Sequence, residues 1–340
     1  MGKKKNKLKI WGGRIISGLA IFFVLMSVGY GAGIVPESWI DAIETVTSPL
    51  DGPQKLWQGS KNEDTAEVAP STGGDTAASE NTLNVEFIDV GQADAILIYD
   101  DNDAMLIDAG NNPDGEPLVK YIESLGIEHL DYAVGTHNHE DHIGGLDDVI
   151  NSFDIDYIML SEEKGTTAAY RSVVKAAESS AAEMLVPQAG DTYELGNATW
   201  QILSCDTDVT DLNESSIVIK LTYGGTSFLF TGDATMNTEQ ELEMSGYDLK
   251  SNVLKVGHHG SASSTADSFL NAVQPEIAVI SVDSTSDLGQ MYHHPATSTL
   301  QRLNHHGIKV YRTDEAGTVR ITSDGTHLQV SAFQTETNGT

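Results

Sequence analysis

Residues 136–145 read THNHEDHIGG, and no other stretch limits the folding of this chain so tightly. His137, His139, Asp141 and His142 are four strong ligands for zinc-like ions within six positions. A His-x-His pair projects both imidazoles to one side of an extended backbone, because side chains alternate with period two. Asp141 and His142 fall where the chain turns into a helix, so they address a second position close to the first. One loop can therefore seed two metal sites. Gly144 and Gly145 let the backbone pass close to such a site or tighten the helix start. A fold that uses this loop must bring further ligands to it from distant parts of the chain.

The rest of the sequence supplies candidates at matching places. LNVEFIDV, DAILIYD, AMLIDAG and HLDYAVGT are short apolar or β-branched runs that read as strands, the last leading into the histidine loop. DIDYIML, TWQILS, SIVIKLTY and TSFLFTG continue the series, and Gly224-Gly225 signals a hairpin between the last two. GEPLVKYIESLG, TTAAYRSVVKAAESSAA, NTEQELEMSG, STADSFLNAV and ATSTLQRLNHHG have helical spacing. The alternation predicts an α/β domain over residues 83–335 that starts and ends in strands. Its halves, about 83–195 and 197–335, share a strand-then-helix order. Asp233 follows TSFLFTG, where a carboxylate can bridge two cations. His258 and His259 follow the strand NVLKVG. Asp108 ends an early strand, where it can orient a ligand histidine. The recurrence of such residues at strand C-terminal ends marks a functional edge.

Charge narrows the substrate. Of 19 Lys/Arg and 50 Asp/Glu, 11 and 41 lie in residues 83–340, so the domain carries about −30. Non-specific attraction to nucleic acid is not expected from such a field. A processive nuclease would need Lys220, Lys255, Arg302, Lys309, Arg312 and Arg320 to gather in one groove. Cys205 is the sole cysteine, which excludes an internal disulfide. At the N-terminus a basic run, MGKKKNKLKIWGGR, precedes an apolar stretch that carries no charge until Glu37. Residues 1–35 thus read as a signal anchor with its basic end cytoplasmic, or alternatively as a cleaved signal peptide. Residues 36–82 read as a flexible stalk and 336–340 as a tail. The domain is then expected on the outer side of the cell membrane, or secreted.

The set DAG, THNHEDH, TGD and VGHHG resembles the metallo-β-lactamase superfamily. Within it, FIDVGQADAILI, KLTYGGTSFLFTGDA, VLKVGHHGSASS, Tyr292-His293-His294-Pro295 and IKVYRTDEAGTVRI resemble the extracytoplasmic hydrolase domain of ComEC/Rec2 competence proteins, over about residues 83–333. The resemblance implies an αββα sandwich with metals at the edge where strand ends meet. It implies a metallo-hydrolase acting on a phosphodiester, DNA being the substrate in the competence proteins. The chain is also similar to phosphorylcholine esterase domains of cell-surface proteins. Carried onto this sequence, His137 and His139 hold one divalent ion and Asp141 and His142 a second. Asp233 bridges them, and His258 or His259 completes the second site. The ions are Zn2+ or Mn2+. The attacking water is expected against Asp141 or Asp233, and His294 hydrogen-bonds the phosphate or the leaving oxygen. Gln92 and Asp94 border the pocket, Asn213 and Ser216 face it, and Ser261 or Ser263 contacts substrate.

Two departures stand out. No histidine occurs between 143 and 257, where most members of the superfamily carry another ligand, so the first ion is completed by water or weakly held. Competence transport proteins carry many membrane spans before this domain, and this chain has one at most. Three functions remain: a surface-anchored phosphodiesterase or nuclease, an esterase or lactamase using the same metals, and a non-catalytic surface module. The full ligand set favours an enzyme. His129, His305, His306 and His327 fall outside it.

Overall fold

The computed structural model describes residues 82–207 and 209–334. The expected anchor, the stalk up to residue 81 and the tail lie outside the described residues. The chain divides into two units, Met1–Gly74 and Asp75–Thr340, and the described residues all belong to the second. No helix among them is long and apolar enough to cross a membrane.

The described strands form two sheets. The first has the order β15-β14-β1-β2-β3-β4-β5-β6, and the second β13-β12-β11-β10-β9-β8-β7. In the first are β1 (Leu83–Phe87), β2 (Ala95–Tyr99), β3 (Ala104–Ala109), β4 (His129–Gly135), β5 (Asp154–Leu160), β6 (Glu183–Leu185), β14 (Thr318–Ser323) and β15 (Leu328–Phe333). In the second are β7 (Thr192–Leu195), β8 (Ala198–Ser204), β9 (Val218–Tyr223), β10 (Thr226–Phe230), β11 (Val253–Lys255), β12 (Ile277–Ile280) and β13 (Lys309–Arg312). Gly224 takes a φ of +58° between β9 and β10, which are paired antiparallel with Thr226 opposite Tyr223. This is the hairpin that the two glycines signal.

Period-two alternation sorts each strand into two faces, and the packing follows it. Val85, Phe87, Ile96, Ile98, Met105 and Ile107 of the first sheet meet Trp200, Ile219, Leu221, Phe228 and Val253 of the second. The intervening residues turn outward. Leu97, Leu106, Ala133 and Ile158 receive Leu118 and Ile122 of helix Gly115–Ser124, Val149 of Leu146–Ser152 and Val173 of Ala168–Ser179. On the far side Leu229, Leu254, Ala278 and Ile280 receive Leu242, Phe269, Leu270 and Leu303 from helices Met236–Ser245, Asp267–Val273 and Thr297–His305. Helices thus cover both outer faces of the paired sheets, giving the αββα layering. Trp200 is fully buried between the sheets, its ring 4.5 Å from Tyr193 and 5.1 Å from Tyr132.

The two halves are not equivalent. The chain leaves the second sheet after β13, and β14 returns to pair antiparallel with β1, Leu83 opposite Ser323. Two short strands with no sequence signal of their own, β6 and β7, sit at sheet edges. In the centre of each sheet lies a parallel pair, β3 with β4 and β10 with β11. The C-terminal ends of these four strands emit Asp108, the histidine loop, Asp233 and the His258-His259 loop.

Candidate metal centre

The loops from the four strand ends meet in one cluster. The histidine loop runs from β4 into the short helix Glu140–Ile143. His137 Nε2 lies 3.0 Å from His139 Nδ1, the two rings standing edge to face. Asp233 lies between two groups of imidazoles. Its Oδ2 is 3.9 Å from His137 Nε2 and 3.8 Å from His258 Nε2. Its Oδ1 is 3.3 Å from His142 Nε2 and 3.7 Å from His259 Nε2. His259 Nε2 is also 3.4 Å from Asp141 Oδ2. Ligand atoms of His137, His139 and Asp233 lie within 4.8 Å of one another, as do those of Asp141, His142 and His259. The histidine pair left open by the sequence therefore divides: His259 faces Asp141 and His142, while His258 faces the side of His137.

The donor set suits divalent cations. His142 Nε2, His259 Nε2 and Asp233 Oδ1 are buried, have no hydrogen-bond partner and converge on one another. Buried polar atoms left in this state are costly unless a ligand takes them. Electrostatics point the same way. Burial raises a carboxylate, yet His142 and His259 outweigh it and hold Asp233 well below the usual range. Burial lowers an imidazole, yet Asp233 and Asp108 hold His142 well above its ordinary value. Burial, with His142 beside it, instead holds His137 well below its ordinary value, and burial lowers His258, so these two imidazoles stay neutral and able to ligate. His258 and His259 both have left-handed backbones, with φ of 50° and 51°, ahead of Gly260 at +79°. Such strain in consecutive non-glycine residues is a mark of functional loops.

A layer of polar groups holds the ligands from behind. Asp108 Oδ2 accepts from His142 Nδ1 at 2.8 Å and from Thr136 Oγ1 at 2.8 Å, and Oδ1 accepts from Thr136 N at 2.8 Å. That bond puts the proton of neutral His142 on Nδ1 and leaves Nε2 free to ligate. His259 Nδ1 donates to Ser281 O at 3.0 Å, with the same effect. Ser216 is fully buried behind His137 and Asp233. Its Oγ accepts from Asp233 N at 3.0 Å and lies 3.4 Å from His137 Nδ1. It supports ligands and does not front the pocket. Asn213 is buried as well.

Asp94 requires a larger correction. The loop position suggests a pocket border, but the side chain is 1% exposed and its Oδ2 lies 2.8 Å from Lys255 Nζ. It sits beneath the histidines, away from solvent. Gln92 comes nearer the mouth. Its Oε1 accepts from Asp283 N at 3.2 Å, and its Nε2 faces His294 Nδ1 at 3.2 Å. A backbone N–H can only donate, so the amide orientation is fixed and Nε2 donates to His294 Nδ1. His294 then carries its proton on Nε2. Burial, with His259 and His258 beside it, pulls His294 down to about 4, so it stays neutral. Its ring is 5.4 Å from His258, and exposed Tyr292 stacks against it at 5.7 Å. Ser261 Oγ contacts Ser263 Oγ at 3.0 Å, and Ser263 Oγ lies 3.4 Å from His258 Nδ1.

Four other histidines lie elsewhere: His306 pairs with Asp267 and stands edge to face with His305, His129 pairs with Asp156, and His327 with Asp324. The six cations that a nucleic-acid groove would need are committed to other partners or face the protein. Lys220 bonds Asp248, Arg302 bonds the carbonyls of Ser264 and Thr265, Arg312 pairs with Asp314 and Glu315, and Arg320 with Glu86. Lys309 stands over the ring of Tyr311, and Lys255 is buried. Sequence reasoning missed Lys255 and Thr136 as parts of the centre. The sequence position of Lys255, three residues before His258 on the same strand end, was the available signal.

Two β-sheets that deliver histidines and carboxylates from their strand ends to one buried, cation-favouring centre define a metallo-hydrolase type of domain. The chain belongs to the metallo-beta-lactamase superfamily, whose family model matches residues 88–284. It is 30% identical over 255 residues to ComE operon protein 3 of Bacillus subtilis, covering 69% of this chain and 32% of that protein. It is 31% identical over 247 residues to competence protein ComA of Neisseria gonorrhoeae, covering 72% of this chain and 33% of that one. The chain spans about a third of the length of these curated relatives. Among solved structures it is similar to the metallo-beta-lactamase fold protein YhfI of Bacillus subtilis, with a TM-score of 0.48 and 11% identity, over 74% of this chain and all of that one.

Proposed function

We propose that this domain is a two-cation phosphodiester hydrolase acting on the outer side of the cell membrane. The observation that carries the proposal is the placement of Asp233, one oxygen toward His137 and His258, the other toward His142 and His259. His137, His139, His258 and Asp233 would hold the first cation, and Asp141, His142, His259 and Asp233 the second. His258 takes the place of the ligand absent between residues 143 and 257. Held by these residues, two cations would supply Lewis-acid stabilisation of phosphoryl charge and would make a water more acidic.

The protein groups have distinct tasks. Asp141 is part-exposed at the mouth; burial raises its carboxylate, yet His259 and His142 outweigh that and hold it well below the usual range, so it stays charged and can orient a water by accepting its hydrogen bond. His294, neutral with its proton on Nε2, donates a hydrogen bond to a phosphate or leaving oxygen without adding charge. Exposed Tyr292 stacks on it, and Met291 and Leu288 of the same short helix are also exposed, which suits a substrate with a planar or apolar group. Kinship with competence proteins supports a nucleic-acid-related phosphodiester. The acidic domain and its committed cations favour a short or locally presented one over a long polymer. The basic run and apolar stretch within residues 1–35 support an outward-facing location.

The experiment is hydrolysis of bis-p-nitrophenyl phosphate, single-stranded DNA and nitrocefin, each with and without chelator. Chelator-sensitive phosphodiester cleavage that is lost in Asp233→Ala is the expected result. Cleavage of nitrocefin alone would assign a lactamase. Phosphodiester cleavage indifferent to chelator would refute the proposal.

A further inference from the structure

Lys255 is an unusual residue for its place. It ends β11, and period two puts it on the same face as Val253, which packs between the sheets. It is fully buried, and a buried ammonium is costly unless it is paired and hydrogen-bonded. Both conditions are met. Lys255 Nζ donates to Val256 O at 2.9 Å and lies 2.8 Å from Asp94 Oδ2. Asp94 belongs to the turn before β2, in the other sheet. The pair therefore spans the sheets directly under the metal centre.

Asp94 touches both histidines of the second cation position. Its Oδ1 is 3.5 Å from His259 Nδ1, and its Oδ2 is 3.9 Å from His142 Nδ1. Its main chain is tied to the same loops: Asp94 N donates to Asp141 O at 3.0 Å, and Asp94 O accepts from Gly110 N at 2.9 Å. His142 and Asp141 come from the first sheet and His259 from the second, so their spacing depends on how the sheets register at this edge. His137, His139 and His258 have no such contact with Asp94 among the described interactions. From this geometry we infer that the Asp94–Lys255 ion pair is a brace across the two sheets that sets the separation of His142 and His259, and so acts chiefly on the affinity of the second cation position, Asp233 beside Asp94 being shared with the first. Both are positioning residues, and neither meets substrate. The inference rests on the two-cation reading above.

The test uses Zn2+ as the probe, titrated calorimetrically into metal-free wild type, Lys255→Met, Asp94→Asn and the double variant. His259→Ala identifies which binding step belongs to the second position. Expected are two steps in wild type, with at least a tenfold loss at the second step in each single variant and little change at the first. The double variant replaces the pair by neutral groups of similar volume and guards against loss of folding. Its thermal midpoint without metal is expected near that of wild type, while the second step stays weak. The brace is refuted if both steps keep wild-type affinity, if they weaken in parallel, or if the double variant regains the second step. A wild type that binds no Zn2+ would instead refute the two-cation reading.

Discussion

Replacing Asp108 by asparagine should damage one cation position through the tautomer of one imidazole. The substitution is nearly isosteric. Asp108 has a φ of +59°, a region that asparagine tolerates well, so the backbone has no reason to move. The hydrogen bonds do change. Asp108 accepts from Thr136 N, Thr136 Oγ1 and His142 Nδ1. Thr136 N can only donate, so it claims the amide oxygen and turns the new NH2 toward His142 Nδ1. A donor there pushes the His142 proton onto Nε2, which then faces Asp233 Oδ1 at 3.3 Å and cannot ligate. Restoring the ligating tautomer forfeits a hydrogen bond to a charged acceptor, about 1.5–3 kcal/mol. At 1.4 kcal/mol per decade this is roughly a 10- to 150-fold loss at the second position. Calorimetric titration with Zn2+ measures the loss, and long-range proton–nitrogen correlation in the metal-free protein, recorded at a pH high enough to neutralise the raised His142, reads the tautomer directly. An Asp108→Asn protein with His142 protonated on Nε2 but an unchanged second binding step would break the link between tautomer and affinity.

Other expectations follow from the same geometry. His258→Ala should weaken the first cation position and His259→Ala the second, separable as two steps of a Zn2+ titration. Gln92→Leu removes the donor that fixes the His294 tautomer, and should lower kcat for bis-p-nitrophenyl phosphate about tenfold with the metal content unchanged by elemental analysis. His294 has its folded pKa depressed to about 4, so it contributes no proton uptake until the pH falls that far. The activity deficit of His294→Asn should thus be constant from pH 8 to about 5, and conformational stability attributable to this group should fall as the pH drops below 6.5 toward 4. Trp200→Ala removes the largest buried side chain between the sheets and should cost about 3–5 kcal/mol in urea unfolding.

The histidine loop and Asp233 were legible in the sequence because each follows a run with clear strand character. Long apolar strands such as SIVIKLTY and helices such as GEPLVKYIES were legible for the same reason. β6 was not. It is a three-residue edge strand, largely exposed, and its pairing with β5 leaves no alternation to read. The strand character of β14 was plain, but its partner was not, because the choice of β1 is made by a core more than two hundred residues away in the chain. Asp94 misled for a physical reason. An aspartate in a glycine-bounded turn looks alike in the sequence whether it meets solvent or a buried lysine. It is the packing of the second sheet that turns Lys255 inward to meet it.

The pairing of β14 with β1 has a consequence for biosynthesis. On a ribosome, β1 emerges first among the described strands, and one of its edges stays open until residues 318–323 are made. Every candidate ligand, the last of them His259, has left the exit tunnel well before the strand that seals the sheet. A nascent chain in that interval presents metal-binding side chains on an unclosed scaffold, so premature termination anywhere after the ligand loops should release a product with a complete set of donors and an unprotected, aggregation-prone margin.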